Sequence, residues 1–129
     1  MKTRTMAALL LCGALGMTSL WAHHSLAAEY DTKKPVNLTG TVTKLDWRNP
    51  HAWVYLDVKN AAGEIEKWQC ELGSPNAMTR AGFSPESVKP GDEVVLSGVL
   101  AKDSSRTCST RDLKSKDGRV ILSQTEGRN

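Results

Sequence analysis

The chain has 129 residues, enough for one domain and little more, with 17 Lys+Arg against 14 Asp+Glu. Lys2 and Arg4 supply two of those basic residues before any acidic one, so the chain beyond them carries 15 against 14. Near-neutrality with interleaved signs provides no basic stripe for nucleic acid, and no internal repeat or low-complexity stretch is present.

The basic start is followed by an apolar run from Met6 to Leu15 and then Gly16-Met17-Thr18-Ser19-Leu20-Trp21-Ala22. Charge, short apolar core and a small residue are the three parts of a cleaved secretory signal. The run is too short to span a bilayer, and no later segment is apolar enough, so the mature chain is expected to have no transmembrane segment. Cleavage after Ala22 is favoured and would leave His23-His24-Ser25 at the new terminus. The competing site, Ser25-Leu26-Ala27, fits the small-x-small rule better but lies further from the apolar run. Cys12 does not make a lipoprotein signal, because Leu11 stands where a small residue is needed. The expected organisation is a signal over residues 1–22, an extended arm over 23–35, a β-domain over 36–123 and a tail over 124–129. The expected location is the periplasm, where about 100 mature residues can build a modest core.

Beyond Pro35, Val36, Leu38, Gly40 and Val42 alternate with polar partners, which reads as a strand. The phase slips near Lys44, as a β-bulge would make it, and Gly40 permits a sharp bend. Arg48-Asn49-Pro50 is a turn. Ala52, Val54, Leu56 and Val58 form the apolar side of a second strand, and a third covers about Ile65 to Leu72. Register decides their faces. Pairing Lys59 with Ile65 sets Asp57 against Lys67, an attractive pair, and sends Trp68, Cys70 and Leu72 to the core. His51, Trp53, Tyr55, Gln69 and Glu71 then share the outward face.

Ser74-Pro75 opens a helix that stops at Gly82. Ser84-Pro85-Glu86-Ser87 suggests a further short helical turn, and Lys89-Pro90-Gly91-Asp92 a tight turn. Strands follow at Glu93 to Ala101 and about Thr107 to Leu113, and Asp117-Gly118 leads into a last short one, Arg119 to Ser123. The fold class expected from three strands, a helix and two strands is an OB-like five-stranded barrel, β-β-β-α-β-β; an open sandwich is the alternative. The binding surface of such a barrel is the outward face of its second and third strands with the loop before them. Here that surface carries Asn49, His51, Trp53, Tyr55 and Glu71.

The chain has three histidines, His23, His24 and His51. A terminal His23 offers its α-amine and imidazole to one metal, His51 adds a third nitrogen, and His24 can contribute through its backbone amide. Such nitrogen sets favour Cu(II). The alternative is a plain polar terminus with His51 in a packing role. Asn49-Pro50-His51-Ala52-Trp53 presents an imidazole and an indole beside Tyr55, suited to a ring or a partner chain, or serves only to turn the strand and cover the barrel. Glu71 is a candidate ligand or hydrogen-bond partner of His51, or a solvated edge residue. Cys70 and Cys108 either pair in an oxidising compartment or sit apart as small core residues. No phosphate loop, nucleophile elbow or zinc motif appears, so no enzyme is expected.

His23-His24-Ser25, Ala28-Glu29-Tyr30-Asp31, Asn49-Pro50-His51-Ala52-Trp53, Glu71-Leu72-Gly73-Ser74-Pro75-Asn76 and Lys89-Pro90-Gly91-Asp92-Glu93-Val94 form a set. Together they resemble the small secreted proteobacterial proteins of domain-of-unknown-function family 6152 over about residues 22–123. The resemblance implies a periplasmic location and supplies no activity. The expected function is therefore a non-catalytic periplasmic binding protein that holds Cu(II) through His23, His24 and His51. The alternative is a metal-free envelope module that takes a small ligand or a periplasmic protein on the Trp53–Tyr55 face.

Overall fold

The computed structural model describes residues 26–124. Its elements are α1 (Leu26–Glu29), β1 (Tyr30–Asp46), β2 (Trp53–Lys59), β3 (Ile65–Glu71), α2 (Pro75–Arg80), β4 (Glu93–Ala101), β5 (Thr107–Ser115) and β6 (Val120–Ser123). The strands lie in the order β3-β2-β1-β4-β5-β6, and a further pairing of β3 with β5 turns the sheet into a ring. That closing pair is parallel and joins Gln69 to Thr107, Cys70 to Cys108 and Glu71 to Ser109, whereas the other pairings are antiparallel. The ring is made of five strands, β1 to β5; β6, at the place of the expected last short strand, adds to β5 outside it, and α1 is an additional helix before the first strand.

One strand makes the ring possible. β1 pairs with β4 from Tyr30 to Thr41 and with β2 from Gly40 to Asp46, so its two halves belong to different parts of the sheet. Gly40 sits where the two pairings overlap. A Cβ there would lie 2.5 Å from the Asp57 carbonyl oxygen and 2.9 Å from Val58 Cγ2, so only glycine lets β2 approach. The expected bulge is present, as a register shift between Val42 and Lys44. β2 and β3 take the expected register, with Lys59 opposite Ile65 and Asp57 opposite Lys67. Lys67 Nζ stands 2.9 Å from Asp57 Oδ1.

The main core fills the ring with Val42, Val54, Leu56, Leu96 and Leu113, closed at one end by Leu72, Met78 and Phe83. α2 begins as its sequence dictates: the Ser74 hydroxyl accepts from the Ala77 amide at 3.2 Å, and Pro75 occupies the first turn. Gly82, at φ 80°, follows its end. Trp68 is only half-buried, packed against the core rather than within it.

Three other boundaries differ from expectation. Of the extended arm expected over residues 23–35, residues 26–29 form α1 instead, and residues 30–35 are extended but already belong to β1, which begins at Tyr30. Tyr-Asp-Thr-Lys-Lys-Pro lacks apolar alternation; the pairing is made instead by Tyr30 with Ala101 and Asp31 with Leu100, then shifts register before Pro35 meets Val99. Ser84–Ser87 is a turn closed by hydrogen bonds from Ser84 N to Ser87 Oγ and from Ser87 N to Ser84 O, not a helix. β5 runs on to Ser115. The expected signal, its cleavage site, His23, His24 and residues 125–129 lie outside the described residues. Among the described residues no helix is long and apolar enough to cross a membrane.

Candidate functional site

A second, smaller apolar cluster lies apart from the main core. β4 shifts register between Ser97 and Gly98, and Val99 and Ala101 beyond that shift pack with Tyr30 and Leu26. Tyr30 is 4% exposed, and its hydroxyl donates to Glu71 Oε2 at 2.5 Å. The start of β1 therefore covers the end of β3. Glu71, expected on the outward face either as a partner of His51 or as a solvated edge residue, is 8% exposed. A carboxylate that deep needs partners for both oxygens; the second partner is His51.

His51 is delivered by the loop between β1 and β2. Ala52 N donates to Gly73 O at 2.7 Å, and Leu72 N donates to Ala52 O at 2.9 Å, which ties that loop to the end of β3. The Asn49–Pro50 peptide is cis. His51 Nδ1 lies 2.5 Å from Glu71 Oε1, and its side chain is 45% exposed. With Nδ1–H donated to the carboxylate, Nε2 is the ring nitrogen left to accept a proton or bind a metal. Tyr30, Glu71 and His51 thus form one hydrogen-bonded chain from a buried hydroxyl to a half-exposed imidazole.

The outer faces of β2 and β3 continue the site. Trp53 lies opposite Glu71, and Tyr55 opposite Gln69. On its other side Tyr55 lies opposite Lys44, whose Nζ is 5.4 Å from the ring centroid, a cation–π distance. Two clefts open along this face, of about 590 and 280 Å³. Trp53 and Tyr30 line the larger, Tyr55 and Trp68 the smaller, and Gln69, Ser105 and Thr107 line both. Asn49 is exposed in the turn before His51.

Cys70 and Cys108 are joined by a disulfide across the parallel β3–β5 pair, with a Cα–Cα distance of 4.5 Å. Both are fully buried. The bridge lies one residue from Glu71 and so fastens the part of the ring that carries the carboxylate.

The site contains groups expected from the sequence, His51, Glu71, Trp53 and Tyr55, but not in the expected roles throughout. Glu71 is committed to two hydrogen bonds, and its second donor, Tyr30, was missed as a site residue. A phenol in an otherwise polar segment was the available signal. Among the described residues no three His, Cys, Asp or Glu side chains are placed to hold a metal together. His51 fits as one nitrogen ligand backed by a carboxylate.

The ring of short curved strands and its loop-flanked outer face define a small OB-like β-barrel protein. The chain belongs to the family of unknown function DUF6152, whose model matches residues 10–110. No curated protein matches it. Among solved structures, it is similar to the mitochondrial single-stranded DNA binding protein Rim1 of S. cerevisiae, with 8% identity and a TM-score of 0.50 over 72% of this chain and 98% of that one. It is also similar to the ZRD-deleted mutant of TiaS in complex with agmatine, with 18% identity and a TM-score of 0.47 over 75% of this chain and 24% of that one.

Proposed function

We propose that the protein is a non-catalytic periplasmic binding protein, of the strict OB-barrel type with β6 as an appendage, whose His51 corner takes Cu(II). The observation that carries the reading is the His51–Glu71 contact of 2.5 Å. A carboxylate on Nδ1 fixes the ring's orientation and leaves Nε2 facing outward as the free ligand atom, the arrangement that supports metal-binding imidazoles. Tyr30 lends further support, because it holds the start of the described chain on the same carboxylate. His23 precedes Leu26 by three residues, a reach of at most about 11 Å. An amine and imidazole from a terminal His23, with the His24 amide, would complete a nitrogen set suited to Cu(II).

The test is copper binding by tag-free protein recovered from periplasmic expression, its first residue fixed by intact mass. One Cu(II) should bind with a nitrogen-rich electron paramagnetic resonance spectrum. His51→Ala, or one residue added before His23, should weaken binding at least tenfold. Binding should also fade as pH falls through the range in which imidazoles and amines take up protons. A mature start at Ala28, or His51→Ala binding as tightly as the wild type, overturns the reading.

A further inference from the structure

We infer that the groove along β2 and β3 binds an uncharged oligosaccharide strand, independently of any metal at His51. Gln69, Ser105 and Thr107 line both clefts of this face, so the two are halves of one groove. Its larger half, about 590 Å³, falls in the range of small-ligand sites, roughly 300–1,000 Å³.

The far wall is held in place by backbone bonds. The β4–β5 loop is tied to α1 by Lys102 N donating to Glu29 O at 3.0 Å, and to β3 by Gln69 N donating to Arg106 O at 3.1 Å. Within the loop, Ser105 N donates to Asp103 Oδ1 at 2.9 Å. The floor offers partly exposed rings from Trp53 and Tyr55, two residues apart on one strand face and so about 7 Å apart along it. A linear glycan lying along β2 would meet both. Between them and the loop stand an amide and hydroxyls, Gln69, Ser105 and Thr107, with Gln69 Nε2 donating to Thr107 Oγ1 at 3.1 Å. Flat apolar rings beside neutral donors and acceptors are what a sugar ring requires: the C–H faces stack, and the hydroxyls exchange hydrogen bonds.

Charge decides against a polyanion. The cations of the smaller cleft are already paired, Lys67 with Asp57 at 2.9 Å and Arg106 with Glu66 at 3.4 Å. In the larger cleft Lys102 is accompanied by the acidic Glu29 and Asp103. A single-stranded nucleic acid gains its affinity from cations left for its phosphates, and this groove sets a carboxylate beside each cationic stretch. A neutral strand loses nothing there.

The test uses chitotetraose as the probe and full mature protein in chelator-containing, metal-free buffer, so that failure of the copper site cannot affect it. Binding is followed by amide chemical shifts and tryptophan fluorescence. Millimolar probe should shift residues 53–55, 67–69 and 102–107 saturably, with affinity unchanged between low and high salt. Trp53→Ala should weaken binding about tenfold. Ser105→Trp, on an exposed loop position that leaves the core intact, should block the groove and abolish binding. No saturable shift overturns the inference, as does wild-type affinity in both variants. Salt-sensitive binding of a thymidine oligonucleotide with none of the sugar also overturns it, in favour of a nucleic-acid surface.

Discussion

Removing the Tyr30 hydroxyl isolates one bond in the chain that reaches His51. Tyr30→Phe deletes a single oxygen, keeps the ring that packs on Val99 and Ala101, and opens no cavity. It leaves Glu71, 8% exposed, with one of its two short hydrogen bonds. A hydrogen bond to a charged acceptor contributes about 1.5–3 kcal/mol, and at this depth water replaces it poorly. A loss of about 2 kcal/mol corresponds to a fall in Tm of about 10 °C in a domain of this size. Urea unfolding at neutral pH with the disulfide intact, followed by tryptophan fluorescence, reads the loss directly. A double-mutant cycle with Glu71→Gln should return a coupling of at least about 1 kcal/mol between the two positions. Additive effects, or a Tyr30→Phe change below about 0.5 kcal/mol, would refute the carboxylate's role as the shared partner.

Glu71→Gln should invert the His51 tautomer: the amide NH₂ donates to Nδ1, the ring proton moves to Nε2, and the nitrogen-15 shifts of the imidazole exchange their pattern. Gly40→Ala should destabilise by about 2 kcal/mol in denaturant titration, because its Cβ would meet the Asp57 carbonyl and the Val58 side chain. Replacing both Cys70 and Cys108 by alanine, which opens a loop of 38 residues, should cost about 4 kcal/mol in the chain-entropy account. The Glu66 carboxyl is held below its ordinary value of 4.5 by hydrogen bonds from Asn60 and Trp68, then by Arg106. Its stabilising effect is therefore present above pH 4.5 and lost as pH falls through the lowered value. Asn60→Ala should move the Glu66 titration upward, read by carboxyl carbon shifts.

Strand periodicity made much of the barrel legible. Alternation at Val36–Val42 and Ala52–Val58, with the Asp57–Lys67 pairing, was enough to place β2 against β3 in the register found. Ser74-Pro75 and Gly82 bounded α2 because capping is local chemistry. The start of β1 was hidden for the opposite reason: its pairing depends on β4, some seventy residues away, and nothing periodic in residues 30–35 records that. The choice between Glu71 as a partner of His51 and Glu71 as a solvated edge residue stayed open because strand alternation assigns a face but not what lies over it, and the cover, Tyr30, comes from that same concealed segment. The residue types of the site were readable from composition and position. The His51–Glu71 pairing was one of the alternatives they offered; the Tyr30 link to the same carboxylate was not legible, because it exists only once the two ends of the fold meet.

The double pairing of β1 also bears on how the chain assembles. Its hairpin with β2 is local and can form early, but Tyr30 must wait for Ala101, and the ring closes only when β3 finds β5. Such distant pairings cost loop entropy before they return any contact energy. The protein should therefore fold in milliseconds to seconds, as domains dominated by non-local strand pairing do. The Tyr30–Glu71–His51 chain should form among the last events, since it needs both ends of β1's register and the closed seam. Mutations there should speed unfolding and leave the folding rate almost untouched.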